Sequence, residues 1–410
     1  MGLEAFSLRF ALVFMRRLRI AYAMINCNRS DGSARALNEL AERVALKHEV
    51  HLFARTAEEI DLSQIKWHRV PGLSWPAVVD FTSYHLLAEF IIPKRRFDII
   101  HSVGPNARAA NVITIPQIQP AKSEVLLQQP EPSGVSLPRK FTRWLHLEAS
   151  MMAENRTYTQ HPGARPPLFL PCSRGVEKEL RKHYDIGAAP VRVVPNAADT
   201  KVFKPLEEAE RQRWRQANGF QASDIILIFA GGEWIRKGLD IAIGALSKLH
   251  SPNVKLFVAG ADAELSRFKA LASELGVVER VVFGGFRRDV QAALGAADIF
   301  FFPSRYEAFS LAIIEAAACG LPLVTTSING SEDFITPGKN GYFVEHDAEQ
   351  AAKVLEPLID NAELRKTLGD AAWQLVKSYY TWDHVAEMTE SAYFEYLEQY
   401  PVPIFAGNLS

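Results

Sequence analysis

The chain has few cysteines, almost no net charge and no long hydrophobic run, and each shortage excludes a class of protein. Its 410 residues include three cysteines, Cys27, Cys172 and Cys319. They are too few and too widely spaced for a disulfide framework or a zinc site, and they suit a reducing cytoplasm. The formal net charge of −1 argues against general nucleic-acid binding through phosphate contacts. Without clustered His or Cys ligands or a D-x-D pair, the sequence predicts no metal site.

The N-terminal segment 1–17 is apolar but too short to span a bilayer, and its basic residues follow the apolar run instead of preceding it. This order is not typical of a signal peptide. The segment is either an amphipathic foot on a membrane surface or an extension ahead of the first strand, and we favour the extension. We therefore expect a cytoplasmic protein, with the inner face of the membrane as a second location to consider.

Short apolar runs alternate with amphipathic helical patterns along the chain, which predicts parallel sheets covered by helices on both faces. We expect one sheet from each half, joined by the polar segment 195–219. The predicted strands are 18–25, 49–54, 97–103, 111–115, 167–172 and 191–195, then 225–232, 254–260, 280–286, 298–304 and 321–326. Two such domains facing each other form a cleft at the carboxyl ends of their strands, where open α/β sheets bind ligands.

Two glutamates flank the start of an apolar helix in the second half of the chain. A buried strand is predicted at 297–302 and a helix from Leu311 to Cys319, so Glu307 lies in the loop and Glu315 on the helix. Taken alone, the pair can equally be a solvated loop residue and a surface helix residue. Glu315, however, is surrounded by apolar neighbours, where a carboxylate needs a partner. The vicinal diol of a ribose is one such partner.

The helix that follows Glu307 is also predicted to bind an anion. The backbone N–H groups of Phe309, Ser310 and Leu311 have no partner within the helix, and the macrodipole favours a phosphate at this end. The segment 229–246 adds a second anion site, because Arg236 and Lys237 follow Gly231 and Gly232 at a loop-to-helix junction. Read without a ligand, the two cations are a solvated helix end.

In the first half, a helix is predicted after the first strand, with Asp31 or Ser33 as its N-cap. Gly32 lies between them and permits a ligand to approach the backbone closely. An ordinary turn between a strand and a helix explains a lone glycine about as well, so both interpretations stay open.

The segment 307–344 resembles the signature of the family-four retaining glycosyltransferases, which have the GT-B fold. The family pattern is E-G-F-G, a second glutamate after seven residues, E-A-x-A-x-G-x-P, G-x-x-E and a G-x-N-G-x-L/V hairpin. The matching residues here are Glu307, Ala308, Phe309, Ser310, Glu315, Ala316, Ala318, Gly320, Pro322, Gly330 and 338–344, with Glu332 or Asp333 as the acid of G-x-x-E. The segment 195–205 is similar to the family's interdomain hinge.

The resemblance implies two Rossmann-like domains across a cleft, with an acceptor bound by residues 18–200, a nucleotide sugar by 201–380, and a final helix within 381–410 that crosses back. It implies that Arg236 and Lys237 bind the donor diphosphate, that Glu307 orients the transferred sugar and that Glu315 binds the ribose. Transfer would be metal-independent and would follow a front-face displacement with retention, with no cofactor besides the sugar nucleotide. In this reading Gly32, Gly231 and Gly232 also lie beside the donor.

Two residues are carried over to the acceptor side. His101 ends a predicted strand and matches the family's D-x-x-H position, so it is expected to line the acceptor site and to take part in catalysis. A second family histidine is replaced by the stretch that contains Gln117. Either Gln117 supplies this contact or the contact is absent.

The acceptor is less defined by the sequence. The cationic loop, with an aromatic residue before it, is similar to that of lipopolysaccharide-core glucosyltransferases, which favours a hexose transferred to a saccharide or lipid-linked acceptor of the cell envelope. Residues 67–96 combine aromatic side chains with three consecutive basic residues. They can contact an anionic membrane, or they can be a buried helix and a solvated basic turn, which we favour. A GT-B epimerase or phosphorylase and a catalytically silent sugar-nucleotide-binding protein remain alternatives.

Overall fold

The computed structural model describes residues 16–28, 31–73, 75–129, 136–161 and 163–401. The predicted extension 1–17 therefore lies outside the described residues except for Arg16 and Arg17. The last nine positions of the segment 381–410 also lie outside them.

A parallel sheet of six strands forms in the first half of the chain. Its strands are β1 (Arg19–Ala23), β2 (Glu49–Ala54), β3 (Ile65–Arg69), β4 (Ile99–Val103), β5 (Val112–Ile115) and β6 (Leu168–Pro171). Their spatial order is β3-β2-β1-β4-β5-β6. The central strands are apolar throughout because helices cover both faces of the sheet. Two further short strands, Asn26–Cys27 and Thr56–Ala57, pair with each other.

The second half contains another six-stranded sheet with the same topology. Its strands are β7 (Ile225–Ala230), β8 (Val254–Ala259), β9 (Val281–Gly285), β10 (Ile299–Phe302), β11 (Leu323–Thr326) and β12 (Gly341–Val344). Their order is β9-β8-β7-β10-β11-β12, and every pairing is parallel. This is the doubly wound Rossmann order, which places ligands where the strand order reverses.

Helices surround the sheets. They are α1 (Gly32–Ala45), α2 (Ala77–Ile91), α3 (Gln119–Leu126), α4 (Leu137–Tyr158), α5 (Arg174–His183), α6 (Glu208–Ala217), α7 (Trp234–Lys237), α8 (Leu239–Lys248), α9 (Leu265–Glu274), α10 (Val290–Ala296), α11 (Leu311–Ala318), α12 (Ser331–Phe334), α13 (Ala348–Asp360), α14 (Ala362–Tyr379) and α15 (Trp382–Gln399). Short 3₁₀ turns lie at Lys94–Arg96, Gly104–Asn106 and Val278–Arg280.

Three details of the strand prediction were wrong. Residues 191–195 form no strand, and only Val191 bridges to β6. Strand β3 was missed because its sequence, IKWHR, lies at the sheet edge with mostly exposed side chains and so has no apolar run. Strand β12 runs parallel to β11, so the expected hairpin at 338–344 is instead a strand that joins the sheet after the short helix α12.

The last helix, α15, packs against the first sheet although the chain reaches it from the second. Tyr393 and Phe394 are buried among residues of β1 and α1, and the Tyr393 hydroxyl lies 3.0 Å from that of Tyr22. At the crossing, Ala198 and Thr381 form a parallel bridge. The chain therefore passes between the domains twice, at neighbouring points.

Candidate functional site

A cavity of about 670 Å³ lies between the two domains, at the carboxyl ends of both sheets. All ten residues predicted to bind a sugar nucleotide line it: Gly32, Gly231, Gly232, Arg236, Lys237, Glu307, Phe309, Ser310, Leu311 and Glu315. Gln117, predicted on the acceptor side, also lines the cavity, whereas His101 does not. Lining residues that the sequence did not single out include Arg35, Thr114, Lys122, Glu233 and Arg287.

The start of α11 faces this cavity with free backbone donors. Ser310 precedes the helix in an extended conformation, and its side chain makes no capping hydrogen bond. The loop is held from behind, because Asn196 donates to the Phe309 carbonyl at 2.9 Å and Ser173 donates to the Ala308 carbonyl at 2.8 Å. No described residue accepts a hydrogen bond from the N–H of Phe309, Ser310 or Leu311. These donors and the helix dipole make the position suitable for an anion.

Gly231 gives Lys237 room to reach the cavity. Strand β7 ends at Ala230, and Gly231 follows with φ +120°, a conformation that side chains rarely permit. A Cβ atom built on Gly231 would lie 2.2 Å from Nζ of Lys237. Any other residue at this position would therefore displace the ammonium group.

Arg236 is bonded on several sides. Its guanidinium donates to Glu307 Oε1 at 2.9 Å and to Glu233 Oε2 at 2.6 Å, and also to the carbonyl of Tyr306. Burial alone would lower the pKa of Arg236, but the carboxylates of Glu307 and Glu233 raise it above its usual value. Arg236 is permanently charged, and it fixes the position of Glu307.

Lys237 differs from Arg236 because it is a half-buried cation without an ion pair in the described chain. Its Nζ lies 5.4 Å from the ring centroid of Phe302, a cation–π contact. Burial lowers the pKa of Lys237, and the negative charge of Glu307 partly restores it. Because an unpaired buried charge is unfavourable, a bound anion would stabilise this arrangement.

Glu315 has a partner that the sequence did not indicate. Arg35, on α1 of the first domain, donates a hydrogen bond to the carboxylate of Glu315 across the cleft and forms an ion pair with it. Burial raises the pKa of Glu315, while Arg35 and then Lys237 oppose that rise. A ribose placed here would have to share Glu315 with Arg35 or displace it.

Gly32 begins α1, and Asp31 is the N-cap, accepting hydrogen bonds from the N–H of Ser33 and Ala34 at 3.0 Å each. A Cβ atom on Gly32 would meet Leu311 Cδ1 at 3.5 Å, an ordinary contact. The protein atoms alone therefore do not require glycine at this position. What Gly32 does provide is open space at the point where α1 and α11 meet.

His101 requires a correction, because the structure places it behind the cavity wall. It is 0% exposed, and its ring bonds Tyr393 on one side and Thr114 Oγ1 at 2.7 Å on the other. Thr114 lines the cavity and His101 does not. Helix α15 covers this face of β4 through Tyr393, which the strand-end pattern could not reveal. Burial lowers the pKa of His101 to about 3, so the ring is neutral at physiological pH.

Both candidates for the acid of the G-x-x-E segment bond to neighbouring protein groups. Asp333 accepts a hydrogen bond from the Arg174 N–H at 2.7 Å, which links the second domain to α5 of the first. Glu332 bonds the Ser327 hydroxyl at 2.6 Å. Neither carboxylate lines the cavity, so both belong to the support of the site.

Two features are absent from the described ranges. No three His, Cys, Asp or Glu side chains in that part of the chain form a group that could bind a metal ion. Among the same residues, no helix has the length and hydropathy needed to cross a membrane.

Comparison with known proteins agrees with the fold. A model of "Glycosyl transferases group 1" matches residues 210–374, and one of "Glycosyltransferase Family 4" matches residues 30–202. The two models together account for both domains. The chain belongs to the glycosyltransferases that these two models describe.

Two curated proteins are similar to this chain in sequence. Lipopolysaccharide glucosyltransferase WaaG of Escherichia coli is 31% identical over 243 residues, which cover 58% of this chain and 63% of WaaG. D-inositol 3-phosphate glycosyltransferase of Mycobacterium marinum is 30% identical over 225 residues, which cover 53% of this chain and 47% of that enzyme. The chain thus spans about half to two thirds of the length of the curated relatives it matches.

Solved structures show that the architecture is GT-B. WaaG matches with a TM-score of 0.73 at 22% identity, over 91% of this chain and 98% of WaaG. Anabaena HepE, solved with UDP and glucose, matches with a TM-score of 0.67 at 18% identity, over 92% of this chain and 99% of HepE.

Proposed function

We propose that this protein is a retaining glycosyltransferase. It would move a hexose from a nucleotide-diphosphate sugar to a saccharide or lipid-linked acceptor, without a metal ion. The observation that supports this most directly lies on one cavity wall, where the half-buried Lys237, without an ion pair among the described residues, accompanies the free N–H groups at the start of α11. A diphosphate supplies the negative charge that both groups lack.

The same groups serve the chemistry that we propose. The acceptor oxygen forms a bond to the anomeric carbon as the bond from that carbon to the diphosphate oxygen breaks, and the acceptor proton passes to the departing phosphate. Lys237, Arg236 and the helix start stabilise the negative charge that develops there. Glu307, fixed by Arg236 at 2.9 Å, orients the sugar hydroxyls, and its charge favours the oxocarbenium-like transition state.

The relatives indicate which substrates to test first. HepE has been solved with UDP, with UDP-glucose and with UDP and glucose, so UDP-glucose is the first donor to try. WaaG is named for lipopolysaccharide and the mycobacterial relative for D-inositol 3-phosphate. We therefore propose a sugar or polyol acceptor, with cell-envelope polysaccharide biosynthesis in the cytoplasm as the setting.

A membrane contact is part of the proposal, because the first domain exposes apolar side chains beside basic ones. Helices α2 and α4 lie side by side, with the Phe81 and His146 ring centroids 5.7 Å apart. Exposed apolar residues on or next to these helices include Trp75 (82%), Phe90 (84%), Leu137 (80%) and Phe141 (58%). Arg139, Lys140 and Arg143 lie among them in the sequence of α4, a combination that favours an anionic bilayer surface.

Sedimentation with vesicles tests this contact. The protein should pellet with vesicles that contain phosphatidylglycerol and remain free with phosphatidylcholine alone. Phe141→Ser combined with Arg143→Ser should release it. Equal pelleting of the variant, or none by the wild type, would remove the membrane from the proposal.

A ligand screen tests the activity itself. UDP-, GDP- and ADP-sugars should be compared for thermal stabilisation, since a specific ligand at a hundred times its dissociation constant adds about 2.7 kcal/mol. The best donor should then be incubated with candidate acceptors and the anomeric configuration of the product read by NMR. An inverted product would contradict retention, and a changed sugar on an intact nucleotide would indicate an epimerase. Binding without turnover of any acceptor would favour the silent binding protein.

A further inference from the structure

We propose that Lys122 selects an acceptor that carries an anionic group, a phosphate or a carboxylate, close to the hydroxyl that is glycosylated. This inference rests on the proposed function and names the chemical class of its acceptor. Lys122 belongs to none of the sequence motifs, and it reaches the cavity from the first domain.

The position of Lys122 is set by the first domain alone. It lies in the first turns of α3, the helix that follows β5 and Gln117. The helix start is held by Glu154 of α4, whose carboxylate accepts from the Gln119 N–H at 3.1 Å and from the Tyr184 hydroxyl at 2.6 Å. Lys122 is thus carried by a fixed element on the wall opposite Lys237.

Lys122 is a half-buried cation with no partner among the described residues. The charges that act on it are those of Glu233, Arg236, Glu307 and Asp31, all lining the same cavity. Each of these carboxylates is already engaged: Asp31 caps α1, and Glu307 and Glu233 both bond Arg236. Burial lowers the pKa of Lys122, as expected for a partly dehydrated ammonium group without a counter-ion.

The donor diphosphate does not need Lys122. Its proposed site has Lys237, Arg236 and the start of α11, all in the second domain. Lys122 lies on the other wall, where Thr114 and Gln117 supply neutral hydrogen-bonding groups. This wall is therefore left for a second anion, distinct from the diphosphate.

Lys122 would select a charged acceptor because binding a neutral acceptor beside it is unfavourable. A ligand without negative charge would dehydrate Lys122 further and leave it unpaired, whereas a phosphate or carboxylate would accept from its three N–H donors. Discrimination by a buried polar group of this kind can exceed that of an apolar pocket. The expected preference of the wild type for the charged over the neutral ligand is at least about tenfold.

The test uses the full chain saturated with UDP, so that the donor subsite is occupied. Glucose 6-phosphate, glucose and inorganic phosphate are titrated at constant ionic strength, and binding is measured by calorimetry. The variant is Lys122→Met, and the matched control is Lys178→Met, which removes an exposed lysine from α5. UDP affinity is measured separately for all three proteins.

Glucose 6-phosphate should bind the UDP-loaded wild type and the Lys178→Met control. It should bind Lys122→Met at least about tenfold more weakly. It should bind more tightly than glucose only to the two proteins that retain Lys122. UDP affinity should stay within about twofold throughout. Equal binding of glucose 6-phosphate to Lys122→Met, or no anion binding to the UDP-loaded wild type, would overturn the inference. A tenfold loss of UDP affinity in Lys122→Met would overturn it too, by assigning Lys122 to the donor. Failure of the wild type to bind UDP would instead remove the proposed function.

Discussion

The two walls of the cavity come from sheets with the same strand order, yet they are built differently. The wall of the second domain is dense in charge and bonding, with Arg236 joined to two carboxylates and the half-buried Lys237 beside it. The wall of the first domain has fewer charged groups: Asp31 caps α1, Arg35 pairs with Glu315, and Lys122 has no partner among the described residues. On the function that we propose, the same fold presents one wall to the donor diphosphate and the other to the acceptor.

Lys237→Met gives the sharpest test of this difference. Loss of the ammonium group should weaken UDP binding by about 4 kcal/mol, on the order of a thousandfold. The free energy of unfolding without ligand should not fall, because a half-buried charge without an ion pair is removed. Calorimetry with UDP and chemical denaturation measure the two quantities. Lys248→Met, at an exposed position on α8, is the control, and equal UDP binding by both variants would contradict the assignment of this wall.

Glu154→Gln tests the support of the first wall through pH. Burial raises the pKa of Glu154 from 4.5 to about 7, although hydrogen bonds from Tyr184 and Gln119 oppose the rise. The folded protein therefore binds a proton that the unfolded chain releases between those values, so stability should fall as pH rises from about 4.5 to 7. The loss from this group is about 3 kcal/mol. Denaturation at several pH values should show this loss of stability in the wild type and not in Glu154→Gln. The same dependence of stability on pH in both proteins would contradict the assignment to Glu154.

Glu315→Ala tests the role of the ion pair between Glu315 and Arg35. If Glu315 binds the ribose, the variant should lose about 2 kcal/mol of UDP affinity, roughly thirtyfold. It should lose nothing for 2′,3′-dideoxy-UDP, which lacks both hydroxyls. Calorimetry with the two nucleotides forms a cycle that separates ribose binding from general damage to the cleft. Equal losses for both would show that Glu315 acts only through Arg35.

His101→Asn should have the smallest effect. The ring is buried and neutral, and it joins Tyr393 to Thr114. We expect about 1 kcal/mol of lost stability and UDP affinity within about twofold, read by denaturation and calorimetry. The pH dependence of activity between 5 and 8 should not change. A large loss of turnover with normal stability would return His101 to the catalytic residues.

The positions of the second-wall residues could be predicted because each of the two segments, 231–237 and 307–315, is contiguous in the chain. Glu307 and the start of α11 lie within a few residues of each other, and local helix and loop patterns sufficed to place them. The first wall could not be predicted in this way, since Arg35 and Lys122 reach the cavity only through the packing of separate helices. No spacing distinguishes Lys122 from a solvated lysine.

Burial and edge position explain the other errors. His101 was placed at the cavity because it ends a strand, but its exposure depends on α15, which returns from the far end of the chain. The edge strand β3 lacks the apolar pattern that marked the central strands. Edge position alone does not decide this, since the edge strands β6 and β9, which have apolar runs, were located.

A crystal structure of the UDP complex tests the central claim most directly. The diphosphate oxygens should lie within hydrogen-bond distance of Lys237 Nζ and of the backbone N–H groups at Ser310 and Leu311, with Arg236 beside them. A diphosphate bound instead at Lys122, or anywhere away from the start of α11, would contradict the account.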